Sequence, residues 1–385
     1  FRDRLHVGMP NIGDRKVFQK RLDDILDRRW LTNQGRYVAE FEGRVAGLLG
    51  VKHCIAMCNG TVALEIAIRA LGLRGEVIVP SFTFVATANA LQWQEITPVF
   101  CDIDPSTHNL DPRKIEPMIT PRTTGIIGVH VWGRPCAIDA LEEIARRRKL
   151  KLLFDAAHAF GNSYRGRMIG CFGDAEVFSF HATKYINTLE GGAVVTNDDE
   201  LARTLRLMKN FGFTDYDRTD YIGVNGKMNE VSAAMGLTNI EAMDTFVCVN
   251  RRNHLQYREE LAGTAGVSVM DYVEGGKYNY QHIVLEIEEG KAGLSRDMLV
   301  SILHSEGILA RRYFYPGCHR LEPHRSFFPH AGLTLPETER LVGRVLCLPN
   351  GTAIGEREVR GICSVIRFVV HEAATIRGLL DGGMQ

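Results

Sequence analysis

From about Val51 to Asp198 the chain alternates short β-branched runs with helical stretches, and this alternation restricts its fold more than any other feature. The runs are Cys54 to Cys58, Glu76 to Val79, Val99 to Asp102, Gly125 to Val131, Leu150 to Phe154, Ala175 to Phe180 and Gly192 to Thr196. Between them Val62 to Leu71, Phe84 to Gln92 and Ile138 to Lys149 have helical spacing. The last ends on Arg146, Arg147, Arg148 and Lys149, whose charge complements the helix dipole. Such alternation predicts an α/β fold with a mostly parallel sheet covered on both faces, and in such sheets ligands bind at the carboxyl ends of the strands. After about Leu237 the texture changes. A long polar helix through Arg251, Arg252 and Arg258, an alternating run from Tyr280 to Glu288 and a helix near Arg296 to Glu306 predict a smaller C-terminal α/β domain. We therefore expect a large domain over residues 1–240 and a small one over 241–385. Internal repeats, low-complexity tracts and long Gly/Ser linkers are absent from the sequence.

Lys plus Arg equals Asp plus Glu at 46 each, so no global field favours nucleic acid or an anionic membrane surface, and any anionic ligand needs a local site. No apolar run approaches bilayer length, and Phe1 to Met9 lack a charged start followed by an apolar stretch, which together predict a cytoplasmic protein. The nine cysteines are scattered, and Cys54, Cys101 and Cys347 sit in apolar runs as small hydrophobes. Cys54 with Cys58, and Cys318 with His319 and His324, come nearest to metal spacing. Neither has a second matching pair, so no metal is expected.

Four segments carry candidate chemistry. Lys184 lies in Ser179-Phe180-His181-Ala182-Thr183-Lys184, between two strands at the expected ligand end. A lysine there forms a Schiff base with an aldehyde cofactor if partial desolvation keeps its amine reactive. Asp155 closes the run Leu150 to Phe154. At the tip of a buried strand a carboxylate needs a cation or strong donors, and in a pyridoxal site that cation is the protonated ring nitrogen. Taken singly, Asp155 reads equally as the cap of a following helix. Asn59-Gly60-Thr61 is a strand, a tight turn and a helix start, suited to a phosphate but shared by many βα junctions, and Ser179 offers a second hydroxyl. Phe84, in Ser81-Phe82-Thr83-Phe84, is placed to stack on a flat ring, against the default of a core phenylalanine.

In order along the chain, Leu31-Thr32-Asn33-Gln34-Gly35, Asn59-Gly60-Thr61, Ser81-Phe82-Thr83-Phe84, Asp155-Ala156-Ala157-His158, the Lys184 segment, Gly223 to Glu230, Tyr315-Pro316 and Leu346-Cys347-Leu348-Pro349 resemble the DegT/DnrJ/EryC1/StrS family. These are the sugar aminotransferases of the pyridoxal-phosphate-dependent fold type I. The resemblance implies a large domain with a seven-stranded, mostly parallel sheet. Lys184 would carry pyridoxal 5'-phosphate as an internal aldimine, with pyridoxamine 5'-phosphate as the intermediate form. Asp155 would pair with the pyridine nitrogen, His158 would lie near the ring hydroxyl and Phe84 would stack on the ring. Gly60, Thr61 and Ser179 would hold the phosphate, with Asn229 reaching it from the other subunit of a homodimer. Read without the family, Asn229 is a polar residue before a helix.

Ser179-Phe180-His181 and Glu190-Gly191-Gly192 are similar to the members that act at C4, whereas those acting at C3 tend to carry Tyr at the His181 position and cyclitol enzymes Gln. Related dehydratases replace the lysine by histidine, and Lys184 is present. The implied reaction moves an amino group from L-glutamate, leaving 2-oxoglutarate, to the C4 keto group of a dTDP-linked 4-keto-6-deoxyhexose. The alternatives are a C3-keto sugar or keto-cyclitol acceptor, or a catalytically silent sensor or structural member of the fold. Arg311 and Arg312, beside Tyr313 and Tyr315, are candidates for the nucleotide diphosphate, or solvated charges on a loop.

Overall fold

The computed structural model describes residues 1–382 with the exception of Arg2 and Glu274. Its central sheet has seven strands: β1 (His53–Met57), β2 (Glu76–Pro80), β3 (Thr97–Cys101), β4 (Thr123–Val129), β5 (Lys151–Asp155), β6 (Ala175–Ser179) and β7 (Gly192–Thr196). They lie in the order β1-β7-β6-β5-β4-β2-β3. Every neighbouring pair is parallel except those of β7, which runs against both β1 and β6. All five residues of β2 and of β7 are buried, as strands covered on both faces require. Helices at Gly60–Ala70, Val85–Gln92 and Ile138–Arg148 follow β1, β2 and β4. Two apolar clusters flank the sheet, one around Phe41, Phe154, Phe178 and Phe180, the other around Ile55, Val77, Val79 and Val194.

The reversal of β7 positions the site. Gly192, its first residue, pairs with Met57 at the end of β1 and with Ser179 at the end of β6, so its start joins the carboxyl ends of the other strands on one edge. The connection Phe180–Gly191 contains no helix, and without a crossover a strand returns antiparallel.

Helix Met243–Leu261 leads to a three-stranded antiparallel sheet of Val267–Val269, Ile283–Ile287 and Val345–Leu348. Helices Arg296–Ser305 and Glu356–His371 share its separate core with Leu285, Leu346 and Ile362. Leu5 belongs to this core too, because Leu5–His6 pairs in parallel with Ile308–Leu309. No helix among the described residues is long and apolar enough to cross a membrane.

Candidate active site

A cavity of about 380 Å³ opens at the strand-end edge, lined by Asn59, Gly60, Thr61, Phe84, Asp155, His158, Ser179 and Lys184. Seven of the eight residues expected from the sequence thus meet in one place, together with the helix-capping Asn59 of the same motif. Asn229, the eighth, is not among the lining residues of its own chain; its side chain accepts from Ser232 N at 2.8 Å and caps helix Glu230–Glu241.

Asp155 ends β5, with only 6 % of its surface exposed. One carboxylate oxygen accepts from Thr87 Oγ1 at 2.8 Å and the other from the Ala157 amide at 3.1 Å. Thr83, just ahead of helix Val85–Gln92, and Thr87 within it share a 3.1 Å hydroxyl contact that steadies this donor. Lys184 sits in a turn closed by its own amide donating to His181 O at 2.8 Å. Burial disfavours its ammonium form and the Asp155 charge favours it, leaving the amine at about 8 instead of the ordinary 10.5. It is therefore far more often a free nucleophile at neutral pH than a surface lysine.

The Asn59–Gly60–Thr61 turn lines the same cavity and offers a candidate anion cradle. Asn59 caps helix Gly60–Ala70 by accepting from Val62 N at 2.8 Å, and the amides of Gly60 and Thr61 have no protein acceptor among the described residues. A Cβ on Gly60 would stand 3.0 Å from Ser179 Cβ and 3.2 Å from its Oγ, so hydroxyl and helix start already face each other at close range. A Cβ on Gly192 would come within 2.5 Å of the Asn59 carbonyl, so the cradle requires glycine on β7 as well.

His158 is buried, and its Nδ1 has no partner among the described residues. Burial first, then Lys184 and His282, push it well below its ordinary value, and burial with Lys184 lowers His282 to about 3. The two rings lie 4.4 Å apart and are neutral at physiological pH. Phe84 caps helix Val85–Gln92 and is 57 % exposed, which removes it from the core and presents its ring to the cavity.

The residues fit pyridoxal phosphate. They combine an amine lowered to the nucleophilic range, a carboxylate held by two neutral donors with capacity for a cation, a helix start with unpaired amides, an exposed aromatic face and an orphaned imidazole nitrogen.

The site also gathers residues outside the expected eight, and of these Gln281 and His282 have no signal in the sequence. Gln281 donates to Thr183 O at 2.9 Å and accepts from Tyr185 N at 3.2 Å, gripping the Lys184 turn from both sides. It and His282 arrive from the start of strand Ile283–Ile287, which reads in sequence only as an alternating run. Thr87 lies within the helical stretch Phe84 to Gln92, and its spacing from Thr83 is the one hint in the sequence of its role beside Asp155. His181 lines the cavity, with Nδ1 2.8 Å from Thr183 Oγ1 and Nε2 3.4 Å from Glu190.

The chain belongs to the DegT/DnrJ/EryC1/StrS aminotransferase family, whose model matches residues 13–367. Its fold is that of the pyridoxal-phosphate-dependent transferases of fold type I, and members of the family are pyridoxal-phosphate-dependent sugar aminotransferases. Among individual proteins, it is 38% identical over 368 residues to the dTDP-4-amino-4,6-dideoxy-D-glucose transaminase of Shigella dysenteriae, covering 95% of this chain and 99% of that one. It is 36% identical to the GDP-perosamine synthase of Caulobacter vibrioides, covering 83% and 92%. The crystal structure of DesI in the presence of its TDP-sugar product superposes with a TM-score of 0.95 at 50% identity, covering 99% of this chain and 96% of DesI.

Proposed function

We propose that the protein transfers an amino group from L-glutamate to the C4 keto group of a dTDP-linked 4-keto-6-deoxyhexose, giving 2-oxoglutarate and a 4-amino-4,6-dideoxy sugar nucleotide. One observation carries this reading: the Lys184 amine and the Asp155 carboxylate line one cavity beside an anion cradle. Similarity to the dTDP-sugar transaminase of Shigella dysenteriae and to DesI supports the choice of acceptor.

Pyridoxal phosphate, when bound, supplies an electron sink for the pair released as a Cα–H bond breaks. Lys184 would hold the cofactor through its amine between turnovers, and the same amine would take the donor's α-proton and return one to C4 of the sugar. A positioned group of this kind contributes on the order of 100- to 10,000-fold. Asp155 keeps a proton on the pyridine nitrogen, and the Thr87 hydroxyl keeps Asp155 turned to it. Gly60, Thr61 and Ser179 would bind the phosphate, and Asn229 would reach it from the other subunit of a homodimer. His158, kept neutral by burial, would lie near the ring hydroxyl, and Phe84 would stack on the ring. We take a large cofactor-binding domain over 1–240 and a small domain over 241–385; the separate core of the three-stranded sheet supports the second, although Leu5 joins that core and Phe246, Cys318 and Leu335 join those of the large sheet. Nine free thiols suit a reducing, cytoplasmic setting.

The test is incubation of the glutamate-treated holoenzyme with a panel of 3-keto and 4-keto nucleotide sugars, identifying the amine by mass and NMR. Nitrogen at C4 of a dTDP sugar supports the reading; nitrogen only at C3, or on a cyclitol, replaces it. A protein whose cofactor band does not respond to any amino donor would be a silent member of the fold.

A further inference from the structure

Lys184 lies in the helix-free connection Phe180–Gly191, so no regular ladder of backbone hydrogen bonds holds its neighbours. On one side its turn is closed locally, by the Lys184 amide on His181 O and by the Thr183 amide on His181 Nδ1 at 3.2 Å. On the other side the Thr183 carbonyl and the Tyr185 amide, which flank the lysine, both meet the Gln281 side chain. Its carboxamide nitrogen donates to the first at 2.9 Å, and its oxygen accepts from the second at 3.2 Å. One carboxamide therefore spans the backbone across Lys184.

Gln281 is itself held. Its amide donates to Asn279 Oδ1 at 3.0 Å, and its carbonyl shares Asn350 Nδ2 with that of Tyr280, at 3.2 and 2.7 Å. Asn279 is buried, and its carboxamide nitrogen donates to His158 O at 3.0 Å and to Phe160 O at 3.1 Å, on the segment that follows Asp155. Tyr280 between them has a φ of 51°, a left-handed conformation uncommon for a bulky residue, and a run bent in this way persists where its surroundings fix it. Asn279 and Gln281 thus tie one short run to both chemistry-bearing segments, 121 residues back at His158 and 98 back at Thr183. The run leads into strand Ile283–Ile287, so the C-terminal layer sets how the Lys184 turn stands against the Asp155 segment.

We propose that Gln281 is a positioning residue for amino transfer: it clamps the backbone on both sides of Lys184 and, through Asn279, keeps the amine in register with Asp155 for proton transfer. A lysine carries its amine on a flexible aliphatic stem, so a fixed backbone is the part of its aim that the fold supplies. Misplacing a reacting group by about 1 Å costs on the order of 100-fold in rate. Loss of the clamp therefore slows the chemistry more than it weakens cofactor binding. This proposal rests on the proposed function for its reaction.

The experiment follows the glutamate-induced change in the cofactor band of the holoenzyme by stopped flow, with ordinary and α-deuterated glutamate. It compares wild type, Gln281→Met, Gln281→Asn and, as a control, Gln256→Met, whose carboxamide donates to Glu356 O. Methionine keeps the length without the amide, and asparagine keeps the amide without the reach. Gln281→Met is expected to lower the rate at saturating glutamate by about 10- to 100-fold and to leave the half-saturating concentration within about 3-fold, with an isotope effect at least as large as that of wild type. Gln281→Asn should move the same way, and Gln256→Met should match wild type. Circular dichroism and the unreacted cofactor band report folding and loading, and Gln281→Asn carries the test alone if Gln281→Met does not load. An unchanged rate in the loaded variants overturns the clamp and leaves the proposed function standing. A raised half-saturation with an unchanged saturating rate assigns Gln281 to donor binding and overturns it too. So does a slowed variant whose isotope effect falls below that of wild type, since a step other than proton transfer has then been slowed, and so does loss of the cofactor from both variants. Wild type that reacts with glutamate but aminates no nucleotide sugar removes the acceptor reading, while a slowed Gln281→Met there still supports the clamp.

Discussion

Replacing Lys184 by methionine should abolish turnover and yet make the cofactor-free protein more stable. In the folded chain burial brings the amine to about 8, whereas in the unfolded chain it titrates near its ordinary 10.5. Between those values the unfolded state binds more protons, so stability rises with pH through that window. Below about pH 8 the full penalty of holding an unwanted charge is present. At about 1.4 kcal/mol per pH unit the gap corresponds to about 3 kcal/mol, of which about 2 kcal/mol is relieved by pH 9.5. Methionine occupies similar space without the charge. Urea unfolding of stripped wild type and Lys184→Met, at one protein concentration and at pH 7 and 9.5, reads the difference directly. The variant should lead by about 3 kcal/mol at pH 7 and by about 1 kcal/mol at pH 9.5. A constant gap would mean that the gain is apolar burial alone, and no gap at pH 7 would refute the claim that desolvation makes this amine reactive. The pH dependence therefore separates the titration from the packing.

Thr87→Val removes the hydroxyl that donates to Asp155 at 2.8 Å. It should lower kcat about 10-fold with little change in the KM for glutamate, as loss of one bond to a charged group predicts, and a wild-type kcat would show that the Ala157 amide alone orients the carboxylate. Gly192→Ala places a Cβ within 2.5 Å of the Asn59 carbonyl; the helix start must move, and cofactor affinity by equilibrium dialysis should fall at least about 10-fold, as displacement of a phosphate-binding helix start predicts. Glu42→Gln leaves the Lys209 ammonium buried without its 3.0 Å carboxylate, and also weakens the hold on the Ala56 amide in β1. It should cost about 3 kcal/mol in urea unfolding, and a loss below about 1 kcal/mol would show that Lys209 deprotonates instead.

How much of this was legible in the sequence depends on the distance over which each residue acts. Lys184, Asp155 and Gly60 each lie within four residues of the end of a short apolar run. The parallel sheet collects such positions on one edge, so local pattern and one topological rule suffice to bring them together. Thr87 and Gly192 also lie in segments that the sequence marks, but their reasons are relational. Thr87 matters because helix Val85–Gln92 sets its hydroxyl against a carboxylate 68 residues further on, and Gly192 because an antiparallel register lays it on Asn59. That reversal was in principle available from the short, helix-free connection after β6, while β-branched composition alone gives no direction. Gln281 and His282 were out of reach in a different way. They come from the three-stranded sheet and its neighbours, and no spacing in the chain says how that second layer docks onto the first. A sequence read strand by strand therefore locates the strand-end part of the cavity. The residues that the C-terminal layer adds to the cavity depend on how the two layers pack, and no local pattern in the chain encodes that docking.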